Sequence, residues 1–203
     1  MIMRFLCVMA GYFCGCFLTA EAVSRWKAGK SACGIGSGNP GTANIGSLYG
    51  KKWAAVTLLG DVIKTVLPCM SCRYLFFPQL GRIAILYAGL GTALGHGFPF
   101  WNRFRGGRSV AVFCTYLFLF APVEGMIAEL IGLCVVIATK YLALGALAIP
   151  IFFLLPAFRY GTEAGFVFLA GAALLFFLHR DSIGRIAHGT EKKTDLYALL
   201  KRR

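Results

Sequence analysis

Seven apolar stretches run through this chain, at about 3–23, 53–70, 80–97, 109–125, 126–140, 141–158 and 164–180. Most of the charge falls between them. A soluble core has no use for so many blocks of this length, whereas a helical bilayer crossing needs about twenty apolar residues. Of the 203 residues 58% are hydrophobic and 14% charged, and that charge share is roughly half of what a soluble domain carries. The pattern predicts an all-α fold: a polytopic membrane helix bundle of about seven transmembrane helices, forming a single membrane-embedded domain over 1–203. Stretches four to six run together, punctuated only by Glu124, Glu129, Lys140 and Pro150. Six and eight crossings therefore stay open beside seven.

The formal net charge of +13 would suit nucleic acid if the cations formed one surface, but they sit in loops and the tail, which is a topology signal. With alternating crossings, one side collects Arg25, Lys27, Lys30, Lys51, Lys52, Arg103, Arg105, Arg108 and Lys140. It also collects a tail with Arg180, Arg185, Lys192, Lys193, Lys201, Arg202 and Arg203. The other side keeps Arg4, Arg73, Arg82 and Arg159. The first side reads as cytoplasmic, with the N-terminus outside and the C-terminus cytoplasmic. Arg4, the first apolar run and Ala20-Glu21-Ala22 imitate a secretory leader with its cleavage site. The cations directly after that run favour a retained first helix instead. The tail beyond about 180 is expected to form a basic juxtamembrane helix, and no nucleic-acid partner is expected.

Most of the eight cysteines lie in apolar stretches, where a thiol behaves as a small hydrophobe. Cys69-Met-Ser-Cys72 has CxxC spacing, yet no second pair or histidine cluster accompanies it, so neither a metal site nor a cofactor is expected.

Three polar stretches, about 34–52, 95–111 and 179–193, are unlike ordinary connectors, and the charge pattern puts all three on the cytoplasmic side, where they can converge on one site. The first reads GSGNPGTANIGSLYGKK from Gly36 to Lys52. Its G-x-G-x-x-G spacing lacks the βαβ setting of a dinucleotide fingerprint, so that reading is rejected. Glycine-rich backbone can still approach an anion closely and turn N–H groups toward it; a flexible connector explains this loop equally well. The second stretch carries Gly95-His96-Gly97-Phe98-Pro99 and then Gly106-Gly107-Arg108-Ser109 ahead of an apolar helix, where free N–H groups beside Arg108 can meet a phosphate. Cytoplasmic anchoring accounts for one or two of its arginines but not for its glycines. The third stretch places His179 at the expected end of the last helix, with Ser182 on about the same face and Arg185 within reach. A histidine there can compensate the helix dipole or serve catalysis. Asp61 and Lys64, three apart inside the second apolar stretch, are either a packing ion pair or part of a functional polar cavity, and both can hold.

Taken in order, these stretches resemble the bacterial acyl-phosphate:glycerol-3-phosphate acyltransferases, small integral membrane enzymes, over nearly the whole chain. That family's first motif, roughly SGNxGATNxxR, is followed by Ser37-Gly38-Asn39-Pro40-Gly41-Thr42-Ala43-Asn44. The GKK that follows and the Asp61/Lys64 pair match as well. The second, roughly GHxFPVF…GGKGVAT, is met by Gly95 to Phe100 and Gly106 to Ala111. The third, roughly HRxNIxRLxxGTE, is met by His179, Arg180, Ile183, Arg185, Gly189, Thr190 and Glu191. The resemblance implies transfer of an acyl group from acyl-phosphate to the 1-hydroxyl of glycerol 3-phosphate, giving lysophosphatidate and phosphate. It implies a multi-pass protein of the bacterial inner membrane, touching membrane lipid, with its site facing the cytoplasm. Ser37, His179 and Ser182 are then the catalytic candidates. Gly38, Asn39, Gly41, Asn44, Ser47, His96, Gly106, Gly107, Arg108, Arg180 and Arg185 are the substrate and phosphate contacts, with Asp61, Lys64 and Glu191 as polar core. No metal or cofactor is implied; the donor arrives activated, so no strong nucleophile is required and the protein's task is to position it and stabilise charge.

The chain departs from the pattern at substrate-facing positions. Ser47 stands where the first motif ends in Arg, Arg108 and Ser109 where the second has Lys-Gly, and Ser182 where the third has Asn. Neighbouring cations such as Lys51, Arg180 or Arg185 compensate, or the acceptor differs from glycerol 3-phosphate, or the relative is inactive. A non-enzymatic transporter or scaffold is the reading from another class. It is disfavoured by the absence of internal symmetry and by glycine-rich motifs confined to one face.

Overall fold

The computed structural model describes residues 1–194. Among them every regular element is helical: α1 (Ile2–Gly15), α2 (Thr19–Ala28), α3 (Thr42–Tyr49), α4 (Lys51–Met70), α5 (Ile83–Gly97), α6 (Val110–Phe120), α7 (Pro122–Thr139), α8 (Leu142–Arg159) and α9 (Thr162–Ala187), with short 3-10 and π turns between some of them. Six helical spans are long and apolar enough to cross a membrane: Ile2–Ala28, Lys51–Phe76, Ile83–Asn102, Pro122–Thr139, Leu142–Arg159 and Thr162–Ala187. The fourth apolar stretch, 109–125, forms α6, whose 11 residues rise only about 16 Å, roughly half the hydrocarbon thickness.

The distribution of side chains is that of a protein solvated by lipid. Leu59, Leu67, Leu130, Leu155 and Phe166 point outward, while Glu21, Asn44, Asp61, Lys64, Thr65, Thr92, His96 and His179 are buried. In water that arrangement would be costly; in a bilayer the polar groups must turn inward and find partners.

The chain divides into two compact units, Met1–Phe120 and Ala121–Arg203. In the first, α1 and α5 lie backbone to backbone. Gly11 and Gly15 abut Ala88 and Thr92, and Gly91 and Gly95 abut Val8 and Tyr12, so closely that an added Cβ on any of the four would strike main-chain atoms. Two GxxxG ridges thus face each other, the small-residue packing that membrane helices use where the hydrophobic effect supplies no force. In the second unit Gly132 of α7 meets Gly145 of α8 in the same way, and Phe153 of α8 stacks on Phe168 of α9 with ring centroids 5.0 Å apart.

Three expectations about elements are corrected. The first apolar stretch is not one helix: it breaks after Gly15 and restarts at Thr19. The freed carbonyls are met from outside the helix, Trp101 Nε1 donating to Cys16 O at 2.7 Å and Lys64 Nζ to Phe17 O at 2.8 Å, as a lipid environment demands. The stretch 179–193 is not a loop for most of its length. α9 continues to Ala187, because the residues from His179 to Ala187 contain neither proline nor an interrupting glycine pair, and burial of Ser182 keeps the helix face engaged. Gly95-His96-Gly97 likewise forms the last turn of α5 rather than a loop. The expected tail helix falls partly on 195–203, outside the described residues.

Candidate functional site

The first glycine-rich stretch is built around Asn44. This side chain lies buried in the first turns of α3. Its Nδ2 donates to Ala32 O at 3.3 Å and Ile35 O at 3.1 Å, and its Oδ1 accepts from Ser37 N at 2.8 Å. One amide therefore closes the loop 32–37 over the helix start, using both donors and its acceptor. Gly36 and Gly38 hold left-handed φ of 62° and 72°, which glycine adopts without cost. Ser37 and Gly38 are left exposed at the tip, with Ser37 Oγ accepting from Asn39 N at 3.5 Å. Ser47 Oγ turns back to Asn44 O at 2.8 Å.

A residue read above only as part of a leader-like stretch anchors this loop from below. Glu21, 2% exposed, accepts from Ala32 N at 2.8 Å and Ser31 Oγ at 3.1 Å, and pairs with Arg25 Nε at 2.7 Å. The sequence signal was available: a carboxylate with an arginine four residues on, flanked by small residues in an apolar run. The residue just ahead of the first stretch touches the second, since Cys33 Sγ approaches Arg105 O at 3.8 Å and accepts from Asn102 Nδ2 at 3.6 Å.

The second stretch folds against α5. Gly107 N donates to His96 O at 2.9 Å, and Ser109 Oγ donates to Ala93 O, one helical turn deeper, at 2.9 Å. The chain from Gly106 to Ser109 thus descends along α5 before α6 begins at Val110. A Cβ on Gly106 would strike His96 O and Gly97 O, and one on Gly107 would strike His96 Nε2. The two glycines are required by the closeness of α5 and its histidine. Ser109 holds φ 58°, a conformation where the motif's usual glycine would be at ease.

Beneath that turn, Asp61, Lys64 and His96 form one buried cluster, each at most 5% exposed. Lys64 Nζ lies 2.8 Å from Asp61 Oδ1 and 2.6 Å from His96 Nδ1, with Asp61 Oδ1 3.6 Å from the same ring nitrogen. The pair noticed in the sequence is thus tied to the second motif.

The third stretch belongs to the second unit. His179 sits inside α9, 2% exposed, two turns short of the helix end, so the dipole-compensating reading falls. Its Nδ1 contacts Leu175 O at 2.8 Å. A carbonyl only accepts, so Nδ1 carries a proton, and in the neutral ring Nε2 holds the lone pair. Ser182 is buried one turn on and donates to Glu191 Oε1 at 2.8 Å while accepting from Arg185 Nη2 at 2.9 Å. Arg185 Nε closes the ring on Glu191 Oε2 at 2.5 Å. Arg180 is exposed and covers the Phe177 ring, 4.1 Å from its centroid.

Comparison with known proteins decides the family. The profile described as "Glycerol-3-phosphate acyltransferase" matches residues 5–189. The chain belongs to the glycerol-3-phosphate acyltransferase family. It is 36% identical over 201 residues to glycerol-3-phosphate acyltransferase 1 of Lactobacillus johnsonii, covering 98% of this chain and 97% of that protein. It is 33% identical over 190 residues to the Thermoanaerobacter sp. glycerol-3-phosphate acyltransferase, covering 93% and 94%. The crystal structure of PlsY, an integral membrane glycerol 3-phosphate acyltransferase in its glycerol 3-phosphate form, superposes with a TM-score of 0.86, covering 98% of this chain and 99% of that one at 24% identity. The shared fold is that of a multi-pass membrane protein.

Proposed function

We propose that this family member transfers an acyl group from acyl-phosphate to the 1-hydroxyl of glycerol 3-phosphate at the cytoplasmic face of the bacterial inner membrane. The observation that carries the reading is the recessed Gly106-Gly107 turn, held against a buried histidine by a main-chain bond, in a chain that matches the family from residue 5 to 189. Both substrates carry phosphate, and glycine backbone with arginine and small hydroxyls is the chemistry that receives it. Ser37, Gly38, Asn39 and Gly41 form one phosphate-receiving loop, with Ser37 and Gly38 exposed at its tip; Gly106, Gly107 and Arg108 form another, with His96 beneath it.

The acceptor hydroxyl oxygen forms the new bond to the acyl carbon, and the bond from that carbon to the phosphate oxygen breaks. The hydroxyl proton ends on the departing phosphate, so no covalent acyl-enzyme is needed, and His179 is the candidate base for it. Arg180 and Arg185 supply positive charge in the second unit, and Glu191 holds Ser182 and Arg185 in place.

Phosphate release by the purified full chain in lipid, given acyl-phosphate with and without glycerol 3-phosphate, tests this. Release that needs both the acceptor and His179 supports the reading; folded protein that releases nothing removes it. A second reading, acyl transfer to a different acceptor, is favoured by Ser47, whose hydroxyl turns back to Asn44 O and offers no cation where the family carries arginine. Donor hydrolysis indifferent to glycerol 3-phosphate would support it. Under the first reading, Ser47→Arg lowers the glycerol 3-phosphate KM by roughly tenfold, the worth of a charged hydrogen bond.

A further inference from the structure

Lys64 has three N–H donors, and three acceptors surround it: Asp61 Oδ1 at 2.8 Å, Phe17 O at 2.8 Å and His96 Nδ1 at 2.6 Å. Asp61 and Phe17 can only accept. An ammonium nitrogen 2.6 Å from an imidazole nitrogen requires that nitrogen to be the lone-pair one, since two N–H groups facing each other there would collide. The proton of a neutral His96 therefore sits on Nε2. That edge of the ring occupies the space where a Cβ on Gly107 would stand.

From this geometry we infer that Lys64 is a positioning residue: it fixes His96 as the Nε2–H tautomer and so presents a fixed N–H donor at the Gly106-Gly107 turn. The inference rests on the proposed function for its consequence, a donor ready for a substrate phosphate, but the tautomer itself stands on the cluster alone. Asp61 has two parts in the device. It fixes the ammonium in place, and it is the acceptor that would take over if the ammonium were removed. Its Oδ1 lies 3.6 Å from His96 Nδ1, so without Lys64 the carboxylate would draw the ring proton to Nδ1 and turn Nε2 into an acceptor. An acceptor beside a phosphate repels it. The break between α1 and α2 supplies the third fixed point, through the Phe17 carbonyl.

The test is 15N-histidine NMR on the full chain in lipid or detergent, with the signals of His96 assigned by their loss in His96→Gln. The wild type should show a pyrrole-type Nε2 and a pyridine-type Nδ1 at His96. Lys64→Met, which keeps the bulk and removes the donor, should reverse that pattern or give an imidazolium. Lys64→Gln, whose amide can still donate, should retain the wild-type pattern. In the phosphate-release assay Lys64→Met should raise the KM of a phosphate-bearing substrate tenfold or more, and Lys64→Gln should recover most of it. A pyrrole-type Nδ1 or an imidazolium at His96 in the wild type overturns the inference, and so does an unchanged His96 pattern in folded Lys64→Met. Should Lys64→Met fail to fold, the wild-type spectrum decides alone. Absence of phosphate release would count against the proposed reaction and leave the spectrum as the judge of the tautomer.

Discussion

Two histidines lie inside this protein, and their neighbours give them opposite chemistry. His96 has an ammonium at Nδ1 and His179 a carbonyl, so as neutral rings His96 keeps its proton on Nε2 and His179 a lone pair there. His96 belongs to a polar trio, and His179 lies one helical turn from another. The trio of Asp61, Lys64 and His96 is closed off from solvent, whereas the trio of Ser182, Arg185 and Glu191 opens to water, the Arg185 side chain being 43% exposed. The lesson is that residue type did not set the role. A buried donor suits a fixed phosphate contact; a buried acceptor suits proton transfer; and the price of disturbing each depends on how dry its surroundings are.

The contrast breaks first at His179. If its Nε2 receives the acceptor proton, His179→Ala should lower kcat by about 10²–10⁴-fold, the usual worth of a general base, beyond the fall in thermal midpoint that the cavity left by a buried side chain brings. A loss confined to KM would make His179 a binding group and erase the difference between the two histidines. Next is the dry trio. Asp61→Ala strands the Lys64 ammonium, and leaving one partner of a buried pair costs about 3–5 kcal/mol. Thermal unfolding in detergent should show a large fall in midpoint or no folded protein. Replacing the pair together, as Asp61→Leu with Lys64→Met, should recover much of that stability while activity stays low. Equal loss in the single and double variants would mean that packing, not charge, is what the pair supplies.

The fold class, most of the span positions and all three motif stretches were legible because hydropathy and glycine content are properties of the chain itself. Asp61 and Lys64 were legible as a pair, since three residues on a helix share a face. Their link to His96 was not, for it joins positions 32 residues apart and depends on how α4 meets α5. The place of His179 was misread because hydropathy ends near Leu178 while the helix does not: backbone bonding continues to Ala187 past the point where side chains cease to be apolar. The break at Cys16–Leu18 was hidden for the converse reason. Its residues are apolar, and only the partners of Cys16 O and Phe17 O explain how a helix can stop inside a membrane. The reciprocal GxxxG ridges of α1 and α5 were present in the sequence, but Gly46/Gly50 and Gly161/Gly165 share that spacing, so only the packing pairs them.

Gly107→Ala tests the dry side more gently. A methyl there must displace the His96 ring, and overpacking of this kind costs about 1–3 kcal/mol. The expected outcome is a moderate fall in thermal midpoint and a KM rise for the phosphate substrate, with His179-dependent chemistry retained. Because that ring is tied to Lys64, Gly107→Ala and Lys64→Gln should couple in a double-mutant cycle.

The smallest effect belongs to the wet trio. Arg185 donates from Nε and Nη2 to two different acceptors, Glu191 Oε2 and Ser182 Oγ. Arg185→Lys keeps the charge but loses the planar fork that serves both at once. Arg185 is nearly half exposed, so water screens the pair and can replace what the fork gave up; the loss in stability should stay below about 1 kcal/mol. Thermal unfolding at low and high salt checks this. The wild type should lose a little stability as salt rises, and the variant should lose less, because it has less ion pairing left to screen. The Asp61–Lys64 pair, walled off from mobile ions, should contribute nothing to that salt slope. If instead Arg185→Lys fell as far as Asp61→Ala, exposure would not be what separates the two trios, and Ser182 together with Glu191 would have to be counted as a structural core in its own right.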